Sequence, residues 1–107
     1  MTDKVVVLVT CGSAAEARRI ARAVVGEKLA ACANILGARV QSLYRWKGKV
    51  ESAKETLLII KTTRRRLTAL EKKIRALHSY DVPEFIALPI VSGSRGYLAW
   101  LTDSVRT

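Results

Sequence analysis

One stretch restricts the fold of this chain more than any other: Val40 to Thr62, VQSLYRWKGKVESAKETLLIIKT. Its first leg alternates, with Val40, Ser42, Tyr44 and Trp46 on one side and Gln41, Leu43 and Arg45 on the other. Successive side chains of an extended backbone point to opposite faces, so this alternation with aromatics predicts a strand. Lys47-Gly48 supplies the turn, because glycine takes a positive φ without steric penalty. The second leg ends in Leu57-Leu58-Ile59-Ile60, a continuous apolar run of the kind expected in a central strand buried on both faces. The stretch therefore predicts a hairpin, and strand–helix patterns on either side make it the joint between two similar halves.

Lys4 to Thr10 (KVVVLVT) is a β-branched run of strand length, again of the buried type. Ser13 with Glu16 three residues on has the spacing of a capping box, and Ala17, Ile20, Ala21, Val24 and Leu29 mark the inward side of a helix ending near Lys28. Ala30 to Ile35 restarts an extended segment, and Gly37 allows a bend or bulge before the Val40 leg. After the hairpin, Thr62 or Thr63 is placed to cap a second helix with an apolar stripe of Leu67, Leu70, Ile74 and Leu77. Glu84 to Val91 is a last strand. Pro89 cannot donate a ladder hydrogen bond, so this strand belongs at an edge or carries a bulge. Ser94 to Val105 forms a short terminal helix with Tyr97, Leu98 and Leu101 inward.

The order strand–helix–strand, hairpin, strand–helix–strand predicts an α+β chain of ferredoxin-like βαββαβ type. It has a four-stranded antiparallel sheet, two helices on one face and a short C-terminal helix, all in one domain over residues 1–107. The first and third strands, the most apolar, should be central. The second strand, ending in Tyr44 and Trp46, would be a hazard as a free edge, and oligomerisation by strand pairing is one physical remedy.

Half of the 107 residues are hydrophobic, enough for a real core, and no apolar run approaches the roughly 20 residues that span a bilayer. The N-terminus passes straight into a strand pattern without a signal-peptide layout, so the cytoplasm is the expected compartment. The net charge of +10, from 19 Lys and Arg against 9 Asp and Glu, invites a nucleic-acid role. The basic residues are spread at helical spacing, however, and the two central strands carry no aromatic on which bases could stack. Nucleic acid is not the expected partner.

Polar groups concentrate in Leu77-His78-Ser79-Tyr80-Asp81-Val82-Pro83-Glu84. His78, the single histidine, could bind a divalent metal with Glu84 or Asp81, since imidazole suits copper or zinc; the alternative is that His78 hydrogen-bonds and orders the loop. Cys11 stands where a strand meets a helix N-terminus, a position that can favour the metal-ligating thiolate. Cys32, in an alanine-rich setting, reads as core packing, and the Met1 thioether could add a ligand only if the terminus folds back. Glu55 and Lys61 flank the apolar third strand and could line a cleft with Tyr44, Trp46 and Trp100. There is no nucleophile–base pair, phosphate loop or carboxylate pair with an obvious role, so the chain reads as a binding protein and not as an enzyme.

Five segments together resemble the CutA family of divalent-cation tolerance proteins. They are Lys28 to Asn34 (KLAACAN), Ser42 to Lys49 (SLYRWKGK), Glu55 through Ile60-Lys61-Thr62, His78 to Glu84 (HSYDVPE) and Tyr97 to Leu101 (YLAWL). They occur in the family's order and cover nearly the whole chain. The resemblance implies a ferredoxin-like fold, a homotrimer like that of the PII signalling proteins, and clefts between subunits. It implies a role in metal tolerance with Cu(II) or another divalent cation bound, His78 matching a proposed copper ligand. Leu77 stands where some members carry a second histidine, and Val9 where some carry a cysteine. The cleft would be lined by Tyr44, Trp46, Glu55, Lys61, His78, Tyr80, Glu84 and Trp100. The rival reading is a PII-like module that needs no metal, in which Lys61 and the basic surface receive a small anionic ligand.

Overall fold

The computed structural model describes residues 2–106, with only the backbone described at residues 38 and 39; Met1 lies outside the described residues. The elements run β1 (Lys4–Cys11), α1 (Ala14–Gly26), β2 (Cys32–Trp46), β3 (Lys49–Thr63), α2 (Leu67–Leu77), β4 (Ile86–Pro89) and α3 (Arg95–Ser104). The four strands form one antiparallel sheet in the order β2-β3-β1-β4, so the first and third strands are central as their composition predicts. Among the described residues β4 pairs with β1 alone, which puts Pro89 on the edge. The register of β2 against β3 slips between Leu36 and Val40, the place where Gly37 allows a bulge.

One face of the sheet carries the main core. Val5, Val7, Val9 and Cys11 of β1 and Leu58 and Ile60 of β3 are buried there against Ala17, Ile20 and Val24 of α1 and Leu70 and Ile74 of α2. Period 2 in the strands meets a one-sided apolar stripe in each helix, which is why these segments take these forms. The other face departs from the sequence reading. The alternate residues of both central strands, Val6, Leu8, Leu57 and Ile59, are only half-buried. α3 packs with Ala31 and Ile90 in a separate small cluster through Leu101 and Val105, leaving Tyr97 exposed where an inward position was expected.

Capping also differs between the helices. Ser13 Oγ accepts the Glu16 N–H at 3.1 Å, as the capping box predicts. Thr62 and Thr63 do not cap α2: Thr62 donates to the Leu29 carbonyl at 2.7 Å, and a 3-10 turn over Arg64–Arg66 leads into the helix.

β2 and β3 are each 15 residues long, whereas β1 ends at Cys11 opposite Thr56. Beyond that point residues 40–46 and 49–55 pair only with each other, a two-stranded arm that lengthens the molecule to 44 Å against 25 Å in the other directions. Lys47 and Gly48 turn the arm with φ of 51° and 80°, the positive pair of a type I′ hairpin. Leu43 and Val50 on this arm are about two-thirds exposed.

Candidate functional site

Two neighbouring groups of side chains form where β1 ends and the segment after α2 returns. The first is a buried knot of Cys11, Glu16 and His78, with potential ligand atoms all within 4.8 Å of one another. Cys11 closes the inward row of β1, Glu16 lies in the first turn of α1, and His78 follows α2, so the knot ties three elements together.

Its hydrogen bonds define its chemistry. His78 Nδ1 accepts the Tyr80 N–H at 3.1 Å, so that nitrogen is unprotonated; Nε2 carries the proton and donates to the Thr10 carbonyl at 2.8 Å. Glu16 Oε1 accepts the Gly12 N–H at 3.2 Å and Oε2 accepts the Ser79 N–H at 2.8 Å. Burial raises the Glu16 carboxyl, but the hydrogen bonds from Ser79 and Gly12 outweigh it and hold the group below its usual value. Cys11 moves the opposite way from the expectation for a helix N-terminus. Its side chain faces the core, and burial, reinforced by the Glu16 and Glu55 carboxylates, pushes the thiol up to about 12.

His78 and Cys11, singled out in the sequence, are brought together by the fold; Glu16, whose capping spacing gave it a complete local explanation, was not singled out as a site residue. As folded, the knot does not fit a metal ion. Both imidazole nitrogens and both carboxylate oxygens already serve backbone partners, and the thiol is held protonated. Glu84 is not one of the three and lines the neighbouring cleft.

The second group is a cleft of about 610 Å³ between the two-stranded arm and the loop after α2. Tyr44 and Trp46 come from β2, Glu55 from β3, Thr10 from β1, and Tyr80, Asp81 and Glu84 from the loop, with Ser42, Leu43, Val82 and Pro83 completing the lining. Tyr80 joins the cleft to the knot: its hydroxyl donates to Glu55 Oε2 at 2.8 Å, and its ring lies 4.7 Å from that of His78, tilted by 53°. The phenol passes so close to Gly12 that a Cβ there would stand 3.3 Å from its oxygen. Burial and the bond to Glu55 raise the Tyr80 hydroxyl above its usual range. Burial and then the Glu55 charge raise the Glu84 carboxyl. Among the described residues no lysine, arginine or histidine lines this cleft.

Of the residues expected to line a cleft between subunits, Tyr44, Trp46, Glu55, Tyr80 and Glu84 meet in this cleft within one chain, whereas Lys61, His78 and Trp100 of the same chain lie outside it. Glu55 and Lys61 of one chain lie six residues apart on one strand, about 20 Å at some 3.3 Å per residue, so they do not meet within a single chain. Lys61 instead hydrogen-bonds Asn34 Oδ1. Trp100 packs on α3 beside Tyr97, ring centroids 5.4 Å apart.

Comparison with known proteins gives a consistent picture. Residues 5–104 match the family described as CutA1 divalent ion tolerance protein. The chain is 48% identical over 99 residues to the divalent-cation tolerance protein CutA of Thermus thermophilus, spanning 92% of this chain and 95% of that one. It is 49% identical over 102 residues to the chloroplastic CutA protein of Arabidopsis thaliana, where it spans 95% of its own length and 56% of the relative's. The solved Thermus structure superposes with a TM-score of 0.93 at 47% identity, covering 96% of this chain and 99% of that one. The Archaeoglobus fulgidus structure, titled a periplasmic divalent cation tolerance protein CutA, gives 0.92 at 35% identity, covering 96% and 99%. Sheet order, hairpin and matched segments therefore carry one conclusion: this chain belongs to the CutA1 divalent-ion tolerance family.

Proposed function

We propose that this chain serves divalent-cation tolerance as a binding protein and not as an enzyme, and that it takes up the cation in the acidic cleft. One observation carries this reading. Glu55 is only 6% exposed, and among the described residues no lysine or arginine forms an ion pair with it or with Glu84. A buried carboxylate without a compensating charge is unfavourable, and a bound cation removes the penalty. The polar donors that line the cleft are oxygens, from Glu55, Glu84, Asp81, Thr10, Ser42 and the tyrosines, a set that favours a hard divalent ion over copper. Copper binding rests on His78, whose two ring nitrogens are engaged, and on Cys11, whose thiol is held protonated.

The same reading includes a homotrimer. An isolated two-stranded ribbon is marginal in water, and the arm of residues 40–55 exposes Leu43, Tyr44, Trp46 and Val50. Pairing between arms of neighbouring copies supports all of these. The PII-like alternative with an anionic ligand draws on Lys61, which stands outside the cleft of its own chain. Two unpaired cysteines suit a reducing compartment such as the cytoplasm, although relatives carry chloroplastic and periplasmic names.

Calorimetric titration with Mn²⁺ and Cu²⁺ tests the site. Saturable Mn²⁺ binding that is lost in Glu55→Gln and kept in His78→Ala is expected; unchanged affinity in Glu55→Gln overturns it. Light scattering should return about 35 kDa, three times the 11.8 kDa chain, and a monomer overturns the trimer.

A further inference from the structure

We infer that the cleft accepts an organic ammonium ion, a primary amine on a short apolar body, with its nitrogen at Glu55 and Glu84 and its carbon chain against Tyr44 and Trp46. This rests on the reading of the cleft as a cation site and adds a ligand class to it.

Charge segregation is the first observation. The chain has 19 basic and 9 acidic residues, yet three of the nine, Glu55, Asp81 and Glu84, line one cleft from which basic side chains are absent among the described residues. In so basic a protein the cleft is a local sink for cations. The buried Glu55 carboxylate is the second, since its one described hydrogen bond comes from the neutral Tyr80 hydroxyl.

The walls then choose between kinds of cation. A bare metal ion is satisfied by oxygens and makes no use of an indole or a phenol face. An alkylammonium ion uses both: its three N–H groups donate to carboxylates, and its charge and adjacent methylenes are attracted to aromatic faces. A cleft of about 610 Å³ falls within the range of roughly 300–1,000 Å³ typical of organic-ligand pockets and far exceeds one ion. The Trp46 ring already attracts an ammonium within this chain: Lys47 Nζ stands 5.9 Å from its centroid.

The chain has two tryptophans, so Trp100→Phe, outside the cleft, leaves Trp46 as the sole indole reporter. In that background n-butylamine and 1,4-diaminobutane are titrated, with n-butanol and butyrate as isosteric controls. The amines should change the Trp46 fluorescence saturably and the controls should not. By calorimetry, Glu55→Gln should weaken amine binding at least tenfold, with thermal unfolding confirming that the variant is folded. Trp46→Leu, which removes an aromatic wall and no oxygen donor, should weaken it about fivefold, the order of one cation–π contact, while keeping Mn²⁺ affinity. An equal response to butylamine and butanol overturns the proposal. So does the absence of amine binding, the result expected if a basic side chain of a neighbouring copy fills the cleft. Amine binding without Mn²⁺ binding overturns the divalent-ion reading and supports this one; Mn²⁺ binding without amine binding does the reverse.

Discussion

Replacing His78 with alanine separates a structural imidazole from a metal-binding one. The substitution removes the bond from Nε2 to the Thr10 carbonyl and the bond from the Tyr80 N–H to Nδ1, each contributing about 1 kcal/mol. It also removes a ring that is 92% buried and packs 4.7 Å from Tyr80, which adds about 1 kcal/mol more. The expected loss is about 3 kcal/mol. In urea, with a slope of about 1.5 kcal/mol/M, the midpoint should fall by about 2 M. Parent and variant are compared at one protomer concentration, because assembly links stability to concentration. The folded variant should keep the parent's divalent-ion affinity. A loss below about 0.5 kcal/mol would show that the two bonds are not formed in solution. Metal affinity falling tenfold in a folded variant would show that the ring is a ligand after all.

Two further outcomes follow from the same region and from the hairpin. The Glu16 carboxyl is held below its usual value of 4.5, so its contribution is present above that pH and disappears as pH falls through the lowered value. Glu16→Gln should lose about 2 kcal/mol at pH 7, the scale of a charge-assisted bond, and should show a flatter stability profile below pH 4.5 in acid titrations followed by circular dichroism; a profile parallel to the parent's would refute this. Gly48→Ala should lose about 1 kcal/mol in urea unfolding although nothing lies within 4 Å of the new methyl, because φ of 80° is strained for alanine; an unchanged midpoint would show that the turn relaxes freely.

The fold was largely legible because it rests on short-range patterns. Alternation in Val40 to Trp46, the apolar runs of β1 and β3, the Ser13–Glu16 spacing and the proline in β4 each act over a few residues, and together they leave one strand order. The site was legible only in part. Glu55, Tyr80 and Glu84 announced themselves as polar groups at the ends of apolar segments. Lys61 did so equally, and strand length separates it from the cleft of its own chain. The second role of Glu16 was invisible, because its partner Ser79 lies 63 residues away and its capping position needs no other explanation. The helix-terminus expectation at Cys11 failed for a related reason. Strand parity turns the thiol into the core beside two carboxylates, and burial then dominates its protonation.

Whether cations enter the carboxylate cleft or the histidine knot is decided most directly by anomalous diffraction from crystals grown with Mn²⁺. A single strong peak within about 2.5 Å of carboxylate oxygens of Glu55 and Glu84 is the predicted result. A peak at His78 Nδ1 or Cys11 Sγ, with none in the cleft, would contradict it.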